Sequence, residues 1–432
     1  MMPKVNAVRR PGRLRVTYTP GIRFAGRVAL TLGAAFVVSC NETTAPLLRY
    51  PLLDEVGTSN WTAVSVGGEH SCGLKVDGTA YCWGSNRFGQ LGVFETDTTC
   101  GTGSGVAACA LRPVAVQTTV KFLSISAGQR HTCGITTDRE AYCWGANDEN
   151  QLAAFGLGGP TLMRVPGTLP WTQISAGYTH SCAVRSDGAL YCWGQNERGQ
   201  LGNNSVFTSS TPVAVQLSSP IAAVSTGQAR TCARTTAGIV YCWGAIWVVR
   251  QEGLELSRTQ PVPELVPDAP AMAWLSVGSF TTCGADISGF AYCWEANPRG
   301  TIGDGSLDGS TTPRRVGSDL EFVQLSAGLA QTCGVTIAGA GFCWGDDTFG
   351  QLGVPATSIG RCGDNAHPCS LTPTPVLGRQ SFTEIATGLG SHTCGVTTRG
   401  NLYCWGLGTS GQRGDGTTRQ AVSTPLTIVE PH

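Results

Sequence analysis

A pair of cysteines separated by nine residues, with tryptophan directly after the second cysteine, occurs seven times after residue 60. Successive first cysteines lie 61, 49, 50, 51, 50 and 61 residues apart. A fixed period near 50 residues is typical of stacked or radial repeat folds. This repeat therefore constrains the fold more than any other feature of the chain. The pairs are Cys72 with Cys82, Cys133 with Cys143, Cys182 with Cys192, Cys232 with Cys242, Cys283 with Cys293, Cys333 with Cys343, and Cys394 with Cys404.

Each cysteine pair brackets a β-hairpin signal, which in the first copy is the loop Val76–Gly78. If Gly78 takes a positive φ, Cys72 lies directly opposite Cys82. Residues opposed at a non-hydrogen-bonded position have Cα atoms ~4.5 Å apart, which is within the reach of a disulfide. The spacing therefore predicts a hairpin closed by its own cross-strand disulfide in every repeat, with Arg139 in place of the loop glycine in the second copy.

Repeats 1 and 6 each carry an insertion of about eleven residues, and each insertion holds a further cysteine pair. These pairs are Cys100 with Cys109 and Cys362 with Cys369. Structural zinc sites usually have two to four residues between paired cysteines, so we favour nine disulfides over metal. Disulfides in this number indicate an oxidising compartment outside the cytoplasm.

The odd cysteine, Cys40, follows an apolar run of eleven residues, 28–38, which is too short to span a bilayer. The run, a small residue and Cys40 resemble a bacterial lipoprotein cleavage box. We predict a signal peptide of the lipoprotein type at 1–39, lipidation of Cys40 and a tether at 40–60. The alternative is an ordinary secretory signal that leaves Cys40 as a free thiol. Either way we expect an exported protein of the bacterial cell envelope, lipid-anchored or secreted.

Charge argues against a nucleic-acid partner. Residues 1–40 hold seven basic and no acidic residues, which leaves 22 basic and 29 acidic residues in the remainder, a net charge of −7. Phosphate binding requires a basic face. We expect a monomer that touches the membrane only through its lipid anchor.

About four short strands and no helix are indicated in each repeat. Seven such units between 61 and 432 predict an all-β fold, a seven-bladed β-propeller of four-stranded antiparallel blades. Ring closure requires the last strand, near 425–429, and we predict that it pairs beside the strand at 62–66.

A longer motif recurs along the chain and is seen best at 67–92 and 177–202. It consists of Gly-x-x-His-[Ser/Thr]-Cys, then Asp-Gly, then Tyr-Cys-Trp-Gly-x-Asn-x-x-Gly-Gln-Leu-Gly. This motif resembles the regulator of chromosome condensation repeat. The resemblance covers about 370 residues. It implies the same seven-bladed propeller, and it implies function through loops on one face. An exchange-factor-like regulator and a secreted enzyme inhibitor are the functions that the resemblance suggests as alternatives.

No residue pattern supports catalysis, so we predict neither enzyme activity nor a cofactor. Four histidines share one repeat position, but equivalent positions in neighbouring blades are too far apart for one metal ion, so they are interpreted as satisfying nearby backbone groups. The seven tryptophans are interpreted as packing between blades. Asp304 opens a segment that lacks the complete spacing of a calcium loop, and the Arg-Gly-Asp sequence at 413–415 is interpreted as coincidental. The histidines are His70, His131, His180 and His392.

Binding is expected where the repeats differ. Variable residues after the first glycine of each repeat are predicted to lie on one rim, and the insertions 93–112 and 354–372 are predicted to project on the same side. Rigid loops lose little entropy on binding. We therefore predict a scaffold that binds an unidentified protein or glycan. The candidate rim residues are Glu69, Arg130, Tyr178, Ala229, Phe280, Leu329 and Ser391.

Overall fold

The computed structural model describes residues 59–431, except 97, 102–105, 169, 251–252, 356, 358 and 364–365. The predicted signal peptide, Cys40 and nearly all of the predicted tether lie outside the described residues. No helix that is long and apolar enough to cross a membrane is found in the part of the chain that the structure describes.

Seven antiparallel sheets follow one another along the chain. Five sheets have four strands each, and the sheets of blades 1 and 6 have a fifth. The first strands of all seven sheets surround one central cavity, so the sheets are the blades of a propeller. The prediction of an all-β, seven-bladed fold with four antiparallel strands in each blade is confirmed.

The strand bounds follow in the order of the blades. The innermost strands are β1 (Trp61–Val66), β6 (Phe122–Ala127), β10 (Trp171–Ala176), β14 (Ile221–Thr226), β18 (Met272–Val277), β22 (Phe322–Ala327) and β27 (Phe382–Thr387). The second strands are β2 (His70–Lys75), β7 (His131–Thr136), β11 (His180–Arg185), β15 (Arg230–Thr235), β19 (Thr281–Asp286), β23 (Gln331–Thr336) and β28 (His392–Thr397). The third strands are β3 (Ala80–Ser85), β8 (Ala141–Ala146), β12 (Leu190–Gly194), β16 (Val240–Arg250), β20 (Ala291–Glu295), β24 (Gly341–Asp346) and β29 (Leu402–Leu407). The fourth strands are β5 (Ala107–Ala115), β9 (Gly158–Arg164), β13 (Ser209–Ala214), β17 (Gly253–Leu265), β21 (Ser310–Arg315), β26 (His367–Pro375) and β30 (Ala421–Thr427), and the additional strands are β4 (Thr98–Cys100) and β25 (Gly360–Cys362).

The second and third strands of each blade form the hairpin that the spacing predicts. In blade 1 the Lys75 N–H donates to Thr79 O at 3.0 Å, and Gly78 has a φ of 77°. Arg139 takes the same left-handed conformation, at a φ of 64°. The turn therefore forms with glycine or arginine at its last position.

Every hairpin is closed by its own disulfide, with the two bonded cysteines directly opposed and their Cα atoms 4.0 to 4.1 Å apart. Each cysteine is thus bonded to the partner that the spacing indicates. The hairpin disulfides join Cys72 to Cys82, Cys133 to Cys143, Cys182 to Cys192, Cys232 to Cys242, Cys283 to Cys293, Cys333 to Cys343, and Cys394 to Cys404. The insertions also contain their disulfides, Cys100 to Cys109 and Cys362 to Cys369.

Neighbouring blades are joined by a repeated hydrogen-bond network. Between blades 1 and 2, the carbonyl of Gln90 accepts from Trp144 Nε1 at 3.0 Å and from Thr132 Oγ1 at 2.9 Å. His70 Nε2 lies 2.9 Å from the same Thr132 hydroxyl. The tryptophan side chains are fully buried, so the interpretation of the tryptophans as packing between blades agrees with these contacts. The equivalent tryptophans and accepting carbonyls are Trp83 with Gln412, Trp193 with Gln151, Trp243 with Gln200, Trp344 with Thr301, and Trp405 with Gln351.

The interface between blades 4 and 5 uses an ion pair instead. Repeat 4 lacks the Gly-Gln-Leu-Gly turn, and Trp294 Nε1 has no partner among the described atoms. Glu295 occupies the position that is glycine in the other six blades, at a φ of 85°. Its carboxylate accepts from Thr282 Oγ1 at 3.1 Å and contacts Arg230, which replaces the repeat histidine. The side chain of Glu295 thus replaces the absent turn carbonyl as the acceptor for Thr282, but not for Trp294.

The prediction that the C-terminal strand pairs beside residues 62–66 is wrong. Strand β30 pairs with β29 inside blade 7, for example Tyr403 with Thr427. Each linker crosses from the outer strand of one blade to the inner strand of the next, so the propeller begins and ends at a blade boundary. The ring closes through side-by-side contacts, in which His392 bonds to Ser71 and Glu430 accepts from Trp61 Nε1 at 3.1 Å.

Candidate functional site

The strand registers define two faces of the ring. The end of blade 1 with Val66 and Ser85 carries the turn 67–69 and the loop that leads to β5. We call this end, with its equivalents in the other blades, the loop face. The opposite end carries Val76–Gly78 and its equivalents, and we call it the turn face. The insertions that distinguish one repeat from another all project from the loop face.

The propeller's first and last residues lie on the turn face. The Val76 N–H donates to Asn60 O at 3.0 Å, and Ser59 Oγ donates to Asn401 Oδ1 at 2.9 Å. Glu430, which follows the last strand, β30, forms an ion pair of 2.6 Å with Lys75 on the same face. The chain therefore enters the propeller on the side opposite the insertions.

Both disulfide-bonded insertions extend the outer edge of a blade beyond the loop face. In blade 1, β4 pairs with the start of β5, from Thr98 opposite Cys109 to Cys100 opposite Ala107. In blade 6, β25 pairs with β26 in the same way, from Gly360 opposite Cys369 to Cys362 opposite His367. The four cysteines are buried. The insertions therefore project on the same side, as the repeat spacing indicated, and blade 7 separates them in the ring.

A third projection from the loop face was not recognised from the sequence. In blade 4, β16 and β17 continue past the usual end of the blade, from Ala245 opposite Thr259 to Arg250 opposite Gly253. At ~3.3 Å per residue, this two-stranded ribbon extends roughly 20 Å. In the sequence, the ribbon is indicated by the apolar run at 246–249, then a Gly-containing segment, then alternating apolar and acidic residues at 254–256. This is the pattern of a hairpin rather than of a degenerate repeat.

The candidate rim residues occupy two positions rather than one. Five of them lie directly before the second strand of their blade, and their carbonyls accept an N–H from the end of the third strand. Tyr178 and Leu329 instead follow the glycine directly, and their N–H groups donate to a glycine carbonyl of the next blade. The true rim equivalents in blades 3 and 6 are Thr179 and Ala330. The five residues that lie directly before the second strand are Glu69, Arg130, Ala229, Phe280 and Ser391.

Exposed apolar side chains of the loop face are found on three consecutive blades. Phe94 of blade 1 is 69% exposed, Phe155 of blade 2 is 81% exposed and Phe207 of blade 3 is 80% exposed. Leu157, beside Phe155, is 99% exposed. Blade 4, with its long ribbon, is next in the ring. Large apolar side chains exposed together are typical of surfaces that bind a partner.

The central cavity has a volume of about 270 Å³ and a polar lining. A ring of serines surrounds it, and each serine hydroxyl accepts an N–H from the next blade, as Ser65 does from Ala127 at 2.9 Å. Glu384 is the one ionisable side chain among the lining residues, all of which the structure describes. The cavity can hold water or a small polar molecule, but its lining contains no acid–base pair. The other serines are Ser126, Ser175, Ser225, Ser276 and Ser326.

The repeat histidines are fully buried and neutral, but their Nε2 atoms bond to hydroxyls of the next blade and not to backbone groups. Because Thr132 gives its proton to Gln90 O, its oxygen accepts from the Nε2–H of His70. Burial lowers the pKa of all four imidazoles to about 3. Within the described residues, no three His, Cys, Asp or Glu side chains come together as a metal site.

Two motifs singled out in the sequence have structural partners. Arg413 is fully buried, and its Nε donates to Asp415 Oδ2 at 3.0 Å. The Arg-Gly-Asp side chains therefore point into the fold and not toward a receptor. Asp304 accepts from the Ser306 N–H at 3.0 Å and pairs with Arg314 at 3.0 Å, which is the bonding of a turn.

Models of the Regulator of chromosome condensation (RCC1) repeat match residues 61–90, 122–151, 171–200 and 382–412, and, in a second model, 77–135 and 187–234. The Ultraviolet-B receptor UVR8 of Arabidopsis thaliana is 31% identical over 100 residues, 23% of this chain. That alignment spans 21% of the length of UVR8.

Two solved structures share the propeller fold. Yeast RCC1 (Prp20) bound to Kap60 superimposes with a TM-score of 0.70 and 18% identity, covering 82% of this chain and 85% of that one. Prp20p from Saccharomyces cerevisiae, solved together with a study of its binding to Gsp1p and histones, gives a TM-score of 0.69 at 18% identity and covers 86% and 88%. The family models thus identify regulator of chromosome condensation repeats in this chain, and the structural neighbours share its propeller fold.

Proposed function

We propose that this propeller is an exported, non-catalytic scaffold that binds another protein through its loop face. The observation that carries the proposal is the location of all three projections, the two disulfide-bonded insertions and the blade 4 ribbon, on that one face. A disulfide within each insertion limits its conformations before binding, which reduces the entropy lost when a partner is bound. The related propeller Prp20p binds Kap60, Gsp1p and histones, which supports a protein as the partner class.

The position of the tether gives the proposal an orientation. Residue 59 lies on the turn face, so a chain anchored through Cys40 would hold the loop face away from the membrane. A partner in solution or on an opposing surface would then reach the insertions unobstructed.

Lipidation of Cys40 is tested by intact mass. Protein purified from native membranes is expected to begin at Cys40 and to carry the mass of acyl chains on that residue. Reduction is expected to add 18 hydrogens, two for each of nine disulfides. A mature chain without acyl mass at Cys40 would contradict the anchor but leave the binding proposal intact.

The binding role is tested by exchanging each insertion for a loop from the same chain. Blade 3 joins its third and fourth strands without an insertion, so its residues 203–208 can replace 93–109 in blade 1 and 354–369 in blade 6. We expect each exchange to reduce capture of the partner from a native extract more than tenfold, because the contact loops are gone. The melting temperature should change by only a few degrees, because the exchange removes only the first three residues of β5 and of β26 and leaves the other pairs of both strands intact.

A matched control alters the opposite face. Ile287 and Ile337 are 80% and 73% exposed on the turn face, and replacing both with serine is expected to leave capture unchanged. The measurement is quantitative mass spectrometry of proteins retained by the immobilised propeller. If the same partners are retained after both insertions are exchanged, the loop-face proposal is wrong.

A further inference from the structure

Most blades hold the loop after their third strand with one asparagine. In blade 1, Asn86 Oδ1 accepts the Leu91 N–H at 3.1 Å while its Nδ2 donates to Val93 O at 3.0 Å. The amide thus uses an acceptor and a donor at once. Equivalent asparagines make the same two kinds of bond in blades 2, 3 and 5, and they are Asn147, Asn196 and Asn297.

Blade 6 has Asp347 at this position. Its Oδ1 accepts the Leu352 N–H at 2.8 Å, which reproduces the first bond. Its Oδ2 is buried and has no hydrogen-bond partner among the described residues, at the position where the asparagines donate. The side chain is only 3% exposed, and its burial raises the carboxyl pKa to about 7.

Glutamines clamp neighbouring blades together in the central cavity. Gln173 Oε1 accepts the Val224 N–H at 2.7 Å, and its Nε2 donates to Val224 O at 3.0 Å. Gln324 makes the same pair of bonds to the N–H and carbonyl of Ile385, at 3.2 and 2.8 Å. Each glutamine amide therefore bonds twice to the backbone of the innermost strand of the next blade.

Blade 7 has Glu384 at the corresponding position, facing blade 1 where the ring closes. Its Oε2 accepts the Val64 N–H at 3.1 Å, which is again the first of the two bonds. A carboxylate has no proton with which to make the second. Loss of hydration at this site raises the carboxyl pKa to about 7, against the opposing effect of the Val64 hydrogen bond.

We propose that Asp347 and Glu384 are proton-operated clamps, which bind as the amides of the other blades do when protonated and release one of their two bonds when ionised. A protonated carboxyl offers one donor and one acceptor, as an amide does, whereas a carboxylate only accepts. One clamp holds the loop that leads into the insertion of blade 6, and the other holds the junction of blades 7 and 1. Protonation therefore adds one hydrogen bond at each of these two places and stabilises the part of the ring between the two insertions.

The neighbouring groups do not provide a competing titration at Glu384. Strands β1, β22 and β23, which pack against β27, contain no titratable residue, and β28 contributes only the buried, neutral His392. Beside Asp347 lies Asp346, which accepts from Thr348 and Gln351. The Asp347 N–H donates to Pro368 O of the insertion, and the ionisable residues next to Pro368 are its chain neighbour His367 and its strand partner Arg361. Strand β30, against which this turn packs, has none. The charge of Asp346 further raises the pKa of Asp347.

The sign of the effect follows from proton linkage. Both pKa values are higher in the folded than in the unfolded chain, where the ordinary carboxyl values of 3.8 and 4.5 apply. The folded state therefore binds more protons between those values and about 7. Stability from the clamps is complete below about pH 4 and is lost as the pH rises to about 7.

Amide variants test the clamps. D347N, E384Q and the double variant should match the wild type in denaturant unfolding at pH 3.5. The wild type retains the full contribution of Asp347 only below its unfolded pKa of 3.8, so at pH 4.5 a difference of several-fold is already expected for D347N. At pH 7.5 each variant should have an unfolding constant at least about tenfold smaller than that of the wild type, because the amide cannot ionise. Glu321→Gln, an exposed carboxyl of the turn face, should follow the wild type at pH 3.5 and pH 7.5 and serves as the control.

Hydrogen exchange supplies a local measurement that does not depend on global unfolding. After correction for the intrinsic pH dependence of exchange, protection of the Leu352 and Val64 amides should fall between pH 5 and 7.5 in the wild type and stay constant in the variants. Unfolding differences of equal size at pH 3.5 and pH 7.5, or a loss of stability in the amide variants at pH 3.5, would overturn the proposal.

Discussion

The reduced chain is not expected to fold. Each hairpin disulfide closes a loop of about eleven residues and contributes ~2.5 kcal/mol by the chain-entropy model. Seven such bonds sum to roughly 15–20 kcal/mol, which exceeds the ~5–15 kcal/mol net stability of most domains. The seven hairpins form the middle of every blade, so no blade retains a core that is independent of its disulfide.

The measurement is refolding from denaturant, because the hairpin cystines are buried and a reductant cannot reach them in the native state. Dilution into glutathione redox buffer should restore the native circular dichroism and tryptophan fluorescence, and dilution into excess reductant should not. A chain without the blade 1 insertion disulfide, Cys100→Ser with Cys109→Ser, should refold oxidatively like the wild type. Recovery of the native spectrum and melting transition under reducing conditions would contradict the expectation.

Removing one partner of the blade 4–5 ion pair should produce the largest loss of stability of any single substitution proposed for this chain. Arg230 and Glu295 are 8% and 7% exposed, so R230L would leave a carboxylate buried without its counterion. Breaking a buried pair in this way costs ~3–5 kcal/mol. Burial raises the pKa of Glu295 despite the opposing effect of Arg230, so this site disfavours an isolated charge.

The double variant R230L/E295G distinguishes the contribution of the ion pair from the cost of a side chain at positive φ at residue 295. Replacing a buried ion pair with apolar groups is often neutral or stabilising, and glycine at residue 295 removes the cost of a side chain at positive φ, ~1 kcal/mol or more. We therefore expect the double variant to be closer to the wild type than R230L alone. Denaturant unfolding of all four cycle members measures the coupling, with the exposed pair Arg258–Glu264 as the reference for an effect below ~1 kcal/mol. A coupling no larger than that of the exposed pair would show that the ion pair does not replace the hydrogen-bond network of the other blades.

Local pairing was predictable because it depends on short distances along the chain. Nine residues between Cys72 and Cys82, with a turn residue of positive φ between them, allow one register of the hairpin, and the structure has that register. The same reasoning applies to the insertion disulfides. The rim position was harder to predict, because two residues separate the glycine from the second strand in blades 3 and 6, and only their hydrogen bonds show which of the two is equivalent to Glu69.

The candidate site was predictable in part. The insertions were visible as interruptions of a 50-residue period, and their common side follows from the direction of the strands. The ribbon of blade 4 was missed because its sequence departs from the repeat, although its alternating apolar residues are a hairpin signal. The clamps of Asp347 and Glu384 could not be predicted from the sequence. The role of a carboxyl at a position where other blades have an amide depends on its hydrogen-bond partners and its burial, which only the structure shows.

Repetition by itself determined the fold class, the number of blades and the disulfides, because each of these follows from contacts within one repeat or from a count of repeats. The disulfides in turn indicate an oxidising environment. Only the tertiary structure decided how the ring closes, which residues join neighbouring blades and which face carries the projections. Those features depend on contacts between distant residues, such as Thr132 with Gln90, 42 positions apart, and His392 with Ser71, 321 positions apart. No local pattern encodes the distance between such residues, since it is fixed by the packing of complete blades around a common axis.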